Sequence, residues 1–307
     1  MTQETPFFKA LWNLTVDICH AAQIPLYRKN HDPKVFSTVQ KIFLLLYKVK
    51  KKLTLRGLIE DLASSKVVEY LGLQRIPNFS TLSYFLTYLP MRIMQLLDAA
   101  VQAILPTYNA VIIDSTGFEC THPSHYYCRR INTPFPVDGF MSLHAVIDQE
   151  SGYIRSFKTI ATKVHDSTTL KPLVKKLKKK IRILYADRGY DSEENYRFLI
   201  EELGCTPLIL QKNILKALDR CKGTYRRIIR EIFDYGEYLK RNKVESVFHS
   251  IKTRYLCTLS TKHVTNQKKE LTIKVILYNL EKKLSAMIAL ILLYIMGLFN
   301  RAREFNN

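Results

Sequence analysis

The sequence lacks any paired cysteine spacing. Its six cysteines, Cys19, Cys120, Cys128, Cys205, Cys221 and Cys257, stand apart along the chain. In a protein of this length they read as reduced thiols of a cytosolic protein, which excludes a disulfide scaffold. The N-terminus has no basic stretch followed by an apolar one, so no secretory signal is expected. No internal repeat is visible. Long apolar runs are also missing. The longest, LSAMIALILLYIMGLF over residues 284–299, has 16 residues without a charge. A membrane-spanning helix needs about 20. We therefore read it as a buried C-terminal helix or a dimer contact, not a membrane anchor.

Acidic side chains are scarce relative to basic ones. There are 47 Lys and Arg against 27 Asp and Glu, a net charge of +20. An excess of that size points to a polyanionic partner, nucleic acid or an anionic surface. The imbalance is +6 over residues 1–105 and +14 over residues 106–307. The composition, 47% hydrophobic and 24% charged, suits a chain with a folded core, not a disordered tail.

Residues 1–105 carry helical periodicity. Phe7, Leu11, Leu14 and Ile18 mark one helix over 6–24, and 35–49 mark a second. Asn30-His31-Asp32-Pro33 reads as a turn between them. Residues 53–90 read as two short helices, a turn at Pro77-Asn78 and a third helix capped by Ser80. Short helices joined by tight turns suit a helix-turn-helix reader of DNA, and equally a plain bundle.

After residue 105 the period changes. Val111-Ile112-Ile113 is a strand ending at Asp114; 140–147 and 153–160 are two more strands around a turn at 149–152. Asp166 is expected to cap a helix to Lys180. Residues 181–186 form a strand ending at Asp187, 192–203 a helix, 206–210 a strand, and about 238–254 a last helix. This order predicts an α/β fold, a ribonuclease-H-like mixed sheet with helical crossovers, preceded by an all-helical N-terminal domain. The expected domains are 1–105 helical and DNA-binding, 106–285 catalytic, and 286–307 an apolar C-terminal helix and tail.

Asp114 and Asp187 are strand-end carboxylates, where ligands gather in open α/β sheets. If their strands are neighbours, the two acids repel unless a hard cation lies between them. A third acid comes from the last helix. Tyr238, Arg241, Glu245 and Lys252 stand at offsets 0, 3, 7 and 14, within roughly a 60° sector of a helix. Val244, Val247, Ile251 and Tyr255 form an adjoining apolar stripe.

This Tyr-x2-Arg-x3-Glu-x6-Lys pattern resembles the signature of insertion-sequence transposases of the DDE type. Asp114-Ser115-Thr116-Gly117-Phe118 resembles that family's first-aspartate motif and Asp187-Arg188-Gly189-Tyr190-Asp191 its second; His165-Asp166-Ser167 is similar too. The resemblance covers about residues 50–285. It implies metal-dependent DNA strand cleavage and strand transfer at the ends of an insertion sequence. Asp114, Asp187 and Glu245 would be the catalytic and metal-binding triad for two Mg²⁺ or Mn²⁺ ions. Tyr238, Arg241 and Lys252 would be DNA- and phosphate-binding. The implied partners are double-stranded DNA, as terminal inverted repeats and target, and a second copy of the chain on that DNA. The implied location is the cytoplasm of a prokaryote, at the nucleoid.

One branch of the family places a large insertion with a Trp between the second Asp and the Glu. Here only 58 positions separate them and the single Trp is Trp12, which puts a DNA-hairpin route in doubt. Two rival readings stand: a ribonuclease-H-like DNA endonuclease, and a non-catalytic DNA-binding protein derived from a transposase. Four smaller features remain. Cys120, His122, His125 and Cys128 are spaced too tightly for the common paired zinc arrangement, so the loop is read as lying near DNA or the active site. The basic run 171–180 is weighed as a target-DNA contact or a solvated face. Residues 212–254, with 12 basic and 5 acidic side chains, are the better phosphate track. Asp191 ranks below Asp187 as a ligand.

Overall fold

The computed structural model describes residues 4–27, 34–120, 129–130, 140–177, 180–212 and 221–304. The expected turn at residues 30–33 lies outside them. The chain divides into two compact units, Met1–Leu105 with Ile273–Asn307, and Pro106–Thr272.

The first unit is helical: α1 (Glu4–Ala21), α2 (Thr38–Lys50), α3 (Leu55–Ser64), α4 (Val67–Tyr70), α5 (Phe79–Tyr88) and α6 (Met91–Ala103). α2 begins with a capping box: Ser37 and Gln40 satisfy each other's backbone N–H. α5 is capped by Asn78, whose side chain accepts from the Ser80 N–H at 3.0 Å. Ser80, expected as the cap, lies two residues inside. Its hydroxyl donates to the same Asn78 oxygen. Trp12 is packed edge-on against Phe43, with ring centroids 5.4 Å apart, inside this unit.

The second unit carries the sheet: β1 (Ala110–Cys120), β2 (Phe140–Asp148), β3 (Ile154–Ile160), β4 (Ile183–Ala186), β5 (Thr206–Ile209) and β6 (Thr258–Leu259). The order is β3-β2-β1-β4-β5, with β6 paired to the far end of β1. β1, β2 and β3 are antiparallel; β4 and β5 run parallel to β1. α7 (Asp166–Val174) and α8 (Glu193–Arg197), continued by a π-helical turn Phe198–Glu202, make the crossovers. This is the ribonuclease-H-like mixed sheet. The β2–β3 hairpin turns through Gly152 at φ 72°, a backbone shape that glycine takes without strain. A buried ion pair, Arg155 to Asp148 at 2.8 Å, ties the hairpin to the Pro106 carbonyl, also 2.8 Å from Arg155.

The fold differs from the sequence expectation in three places that bear on the site. β1 does not end at Asp114. Its pairing with β2 runs on to Glu119, and only its pairing with β4 stops at Ile113. The polar stretch after Asp114 hid the second half of the strand. The expected helix 238–254 is three consecutive pieces, α10 (Tyr235–Tyr238), a 3₁₀ turn Leu239–Asn242 and α11 (Lys243–Tyr255), preceded by α9 (Thr224–Glu231). α12 (Val264–Glu304) is one continuous helix that crosses residue 285, the boundary read from the sequence. Its residues 271–281 are buried, but 285–294 are exposed, so over those ten residues the apolar segment is helical without being buried. Among the described residues no helix is long and apolar enough to cross a membrane.

Candidate active site

The site starts at the last register pair of the parallel ladder. Ile113 on β1 is opposite Ala186 on β4, so Asp114 and Asp187 are the next residue on each strand. Both backbones leave the ladder together, and the two carboxylates are charged neighbours. Asp114 accepts the Ser115 N–H at 2.8 Å. Asp187 caps the 3₁₀ turn Arg188–Tyr190, accepting the Gly189 N–H at 2.7 Å.

Burial pushes the Asp114 carboxyl up to about 6; Arg241 opposes that rise, while Asp187 and Asp166 add to it. The Arg241 guanidinium holds Asp114 at 2.8 Å, and its other terminal nitrogen lies 3.7 Å from Glu245. The third acid is therefore joined to the first through a cation, although the Glu245 side chain is 69% exposed. Tyr238 is buried against Phe233 and Tyr235, with centroids at 5.4 and 6.1 Å. Its phenol titrates above the usual range, from burial first, with Arg241, Asp187 and Asp114 as its charged neighbours.

Asp114, Asp187, Tyr238 and Arg241 are thus brought together, with Glu245 at the rim. Lys252 is not with them. Its ammonium lies 5.7 Å over the ring of Phe118, four residues further along β1. Among the described residues no three His, Cys, Asp or Glu side chains close on one point as they stand.

A chain of polar residues behind Asp114 was not assigned from the sequence. Asp166 does not cap α7; His165 holds that position without a side-chain bond. The Asp166 carboxylate instead accepts from the Ser115 hydroxyl at 3.2 Å and lies 3.5 Å from the buried ring of His144. Burial, the largest effect, holds His144 below its ordinary value against the pull of Asp166. The signal available was the His165-Asp166-Ser167 motif, read as a helix start and as part of the family resemblance, with no role at the site given to Asp166. Asp191, ranked below Asp187 as a ligand, has a structural partner: it is buried, 2.8 Å from Arg226, and accepts the Lys212 N–H. Lys171 and Lys175 pair with Glu194 and Glu202, which favours a solvated face for that run. His122, His125 and Cys128, with the loop 124–127, lie outside the described residues, as do Lys178, Lys179 and 213–220.

The donor set is one of hard carboxylate oxygens, suited to Mg²⁺ or Mn²⁺. Two features fit a cation there. Arg241 already stands in as the positive charge on Asp114, and beside Gly189 the oxygens of Asp166 and Asp187 lie 2.9 and 3.0 Å from the point a Cβ would fill.

A family model described as a transposase DDE domain matches residues 105–280. The chain belongs to that family. Divalent metal ions are general to such transposase domains. Among solved structures, a piggyBac transposase synaptic complex with hairpin DNA is similar, at 12% identity and a TM-score of 0.48. The match covers 89% of this chain and 73% of that one. No curated protein matches the sequence.

Proposed function

We propose that this transposase cuts DNA strands at the ends of an insertion sequence and joins them to target DNA, with Asp114, Asp187 and Glu245 as its metal-binding triad. The observation that carries the reading is the pairing of Asp114 with Asp187 at the end of one parallel ladder, with Arg241 bridging to Glu245. Bound there, Mg²⁺ or Mn²⁺ would activate an attacking hydroxyl and stabilise the leaving oxygen of an in-line displacement.

The protein's own groups do the rest. Arg241 grips a phosphate beside the scissile bond. Its Nε is buried and has no partner, so a donor remains in reserve while the terminal nitrogens hold carboxylates. Tyr238, buried with Arg241, Asp187 and Asp114 as charged neighbours, would help hold the phosphate with Arg241. Lys252 holds the strand further out, along β1. In cutting, water attacks the phosphorus and a 3′-hydroxyl leaves; in joining, that 3′-hydroxyl attacks the target strand and displaces another. No covalent bond to the protein forms. The N-terminal helices α3 to α5 read the terminal repeats, and two copies of the chain bring two ends together.

Purified protein, incubated with duplex DNA carrying its element's ends and Mg²⁺ or Mn²⁺, tests this. Cutting followed by joining is expected from the wild type. Asp114→Asn, Asp187→Asn and Glu245→Gln should each lose nearly all of both steps while still binding DNA, because groups acting as one unit fail together. Cutting without joining would favour the plain endonuclease, and binding without either step the non-catalytic reading. Full activity in Glu245→Gln would remove Glu245 from the triad.

A further inference from the structure

The geometry points to Asp166 as a further cation-binding residue, a fourth carboxylate beside Asp114 and Asp187 with its Oδ2 facing the ion. This rests on the metal-dependent reading above and extends it.

Asp166 is the first residue of α7, a place where an acid ordinarily serves its own helix. Its side chain is turned elsewhere. One oxygen, Oδ1, is anchored by the Ser115 hydroxyl at 3.2 Å and by His144 at 3.5 Å. Ser115 follows Asp114, and His144 is its partner across the β1–β2 ladder. The anchors therefore come from the strand that carries Asp114 and from β2 paired beside it. The other oxygen, Oδ2, has no protein partner among the described residues. It lies 2.9 Å from the point a Cβ on Gly189 would occupy, and Asp187 Oδ1 lies 3.0 Å from the same point. Two carboxylate oxygens from different elements thus flank one small space, kept open because residue 189 is glycine.

The approach is enforced from behind. The buried Asn195 amide donates to the carbonyls of both Ser167 and Tyr190, at 3.0 and 3.1 Å. That clamp fixes the start of α7 against the Asp187 turn. The buried Tyr190 hydroxyl, beside Thr169, has Asp166, Asp114 and Asp187 as its charged neighbours. Among the described residues no Lys or Arg pairs with Asp166. Carboxylates pressed together this way repel, and a divalent cation is the group that offsets it. A purely structural aspartate would need neither the glycine nor the unpartnered oxygen.

The test is Mn²⁺ binding by the full chain without DNA, followed by electron paramagnetic resonance, with circular dichroism on the same samples. Asp166→Asn keeps the shape and the Ser115 contact. It is expected to weaken Mn²⁺ binding tenfold or more with an unchanged spectrum. Gly189→Ala alters no charge but fills the space between the two oxygens, and should weaken Mn²⁺ binding as well; it decides the matter if Asp166→Asn fails to fold. Glu119→Gln, exposed and outside the cluster, should bind as the wild type does. Wild-type affinity in both Asp166→Asn and Gly189→Ala, with binding lost in Asp114→Asn and Asp187→Asn, would overturn the role of Asp166 and leave the catalytic reading standing. Mn²⁺ binding indifferent to Asp114→Asn and Asp187→Asn would overturn both.

Discussion

Asp114 is costly to the metal-free protein. Its side chain is 15% exposed and its carboxyl is raised from 3.8 to about 6. A carboxyl whose folded value lies above its unfolded value binds more protons when folded. Its contribution to stability is present below about 4 and is lost as the pH rises through about 6. At neutral pH the charged form therefore costs roughly 3 kcal/mol, taking about 1.4 kcal/mol for each unit. In the presence of a chelator, Asp114→Asn should be more stable than wild type at pH 7 by up to about that amount, and no more stable at pH 4. Urea unfolding at the two pH values checks it; a variant less stable at pH 7 would contradict the sign. The residues at this scale were legible unevenly. Asp114, Asp187 and Arg241 were readable because each stands beside a recognisable apolar run or on a helical line. Asp166 was not, because a first-turn acid looks the same whether it serves its helix or a site. Only the fold shows that Ser115 and His144 hold its Oδ1.

The line of Tyr238, Arg241, Glu245 and Lys252 shows what helical periodicity conveys and where it misleads. The 100° spacing assumes one α-helix, but Leu239–Asn242 is a 3₁₀ turn, which winds more tightly. Arg241 and Glu245 still meet as an i, i+4 pair. Tyr238 is carried inward and buried, and Lys252 sits at the far end of the line, over Phe118. The four residues are therefore unequal. Arg241→Ala should lose cleavage far more severely than Lys252→Ala, since of the two only Arg241 touches carboxylates of the proposed triad. Each change should lower the salt slope of DNA binding by about one unit if each makes one phosphate contact. Single-turnover cleavage and salt titration measure the two effects; equal cleavage losses would return Lys252 to the centre. A cap gives a second test. Read from the sequence, Ser80 caps α5 and Asn78 belongs to the turn before it; both are good capping types, and spacing alone does not separate them. Asn78 holds the N–H bond. Asn78→Ala should cost about 1 kcal/mol in urea unfolding and Ser80→Ala clearly less, the reverse of the order expected from the sequence.

At the scale of the whole molecule, periodicity and composition were read with contrasting success. The period of the sequence changes near residue 105, and the compact units are Met1–Leu105 with Ile273–Asn307, and Pro106–Thr272. The apolar segment 284–299 could not be judged by composition, because a buried helix and an exposed apolar one have the same residues. α12 contributes both. Leu271, Val275 and Leu277 are fully buried, while Leu290, Ile291, Leu292, Leu293 and Tyr294 are each more than half exposed. Apolar surface that is already exposed to water contributes nothing to folding stability when removed. Truncation after Lys283 would also delete Leu284, which is buried, so the cut belongs after it. A chain ending at Leu284 should keep its unfolding midpoint within about 2 °C of the full chain. It should also be less prone to associate, since contiguous exposed apolar surface drives association. Thermal unfolding and light scattering on the two chains provide the comparison. Expressed in cells, the full chain should leave the membrane fraction on alkaline extraction, because its 16-residue apolar run is shorter than the about 20 residues a span needs. A midpoint several degrees lower in the truncated chain would mean that residues 285–307 pack on the protein after all, and the segment would then be part of the core and not a surface left open.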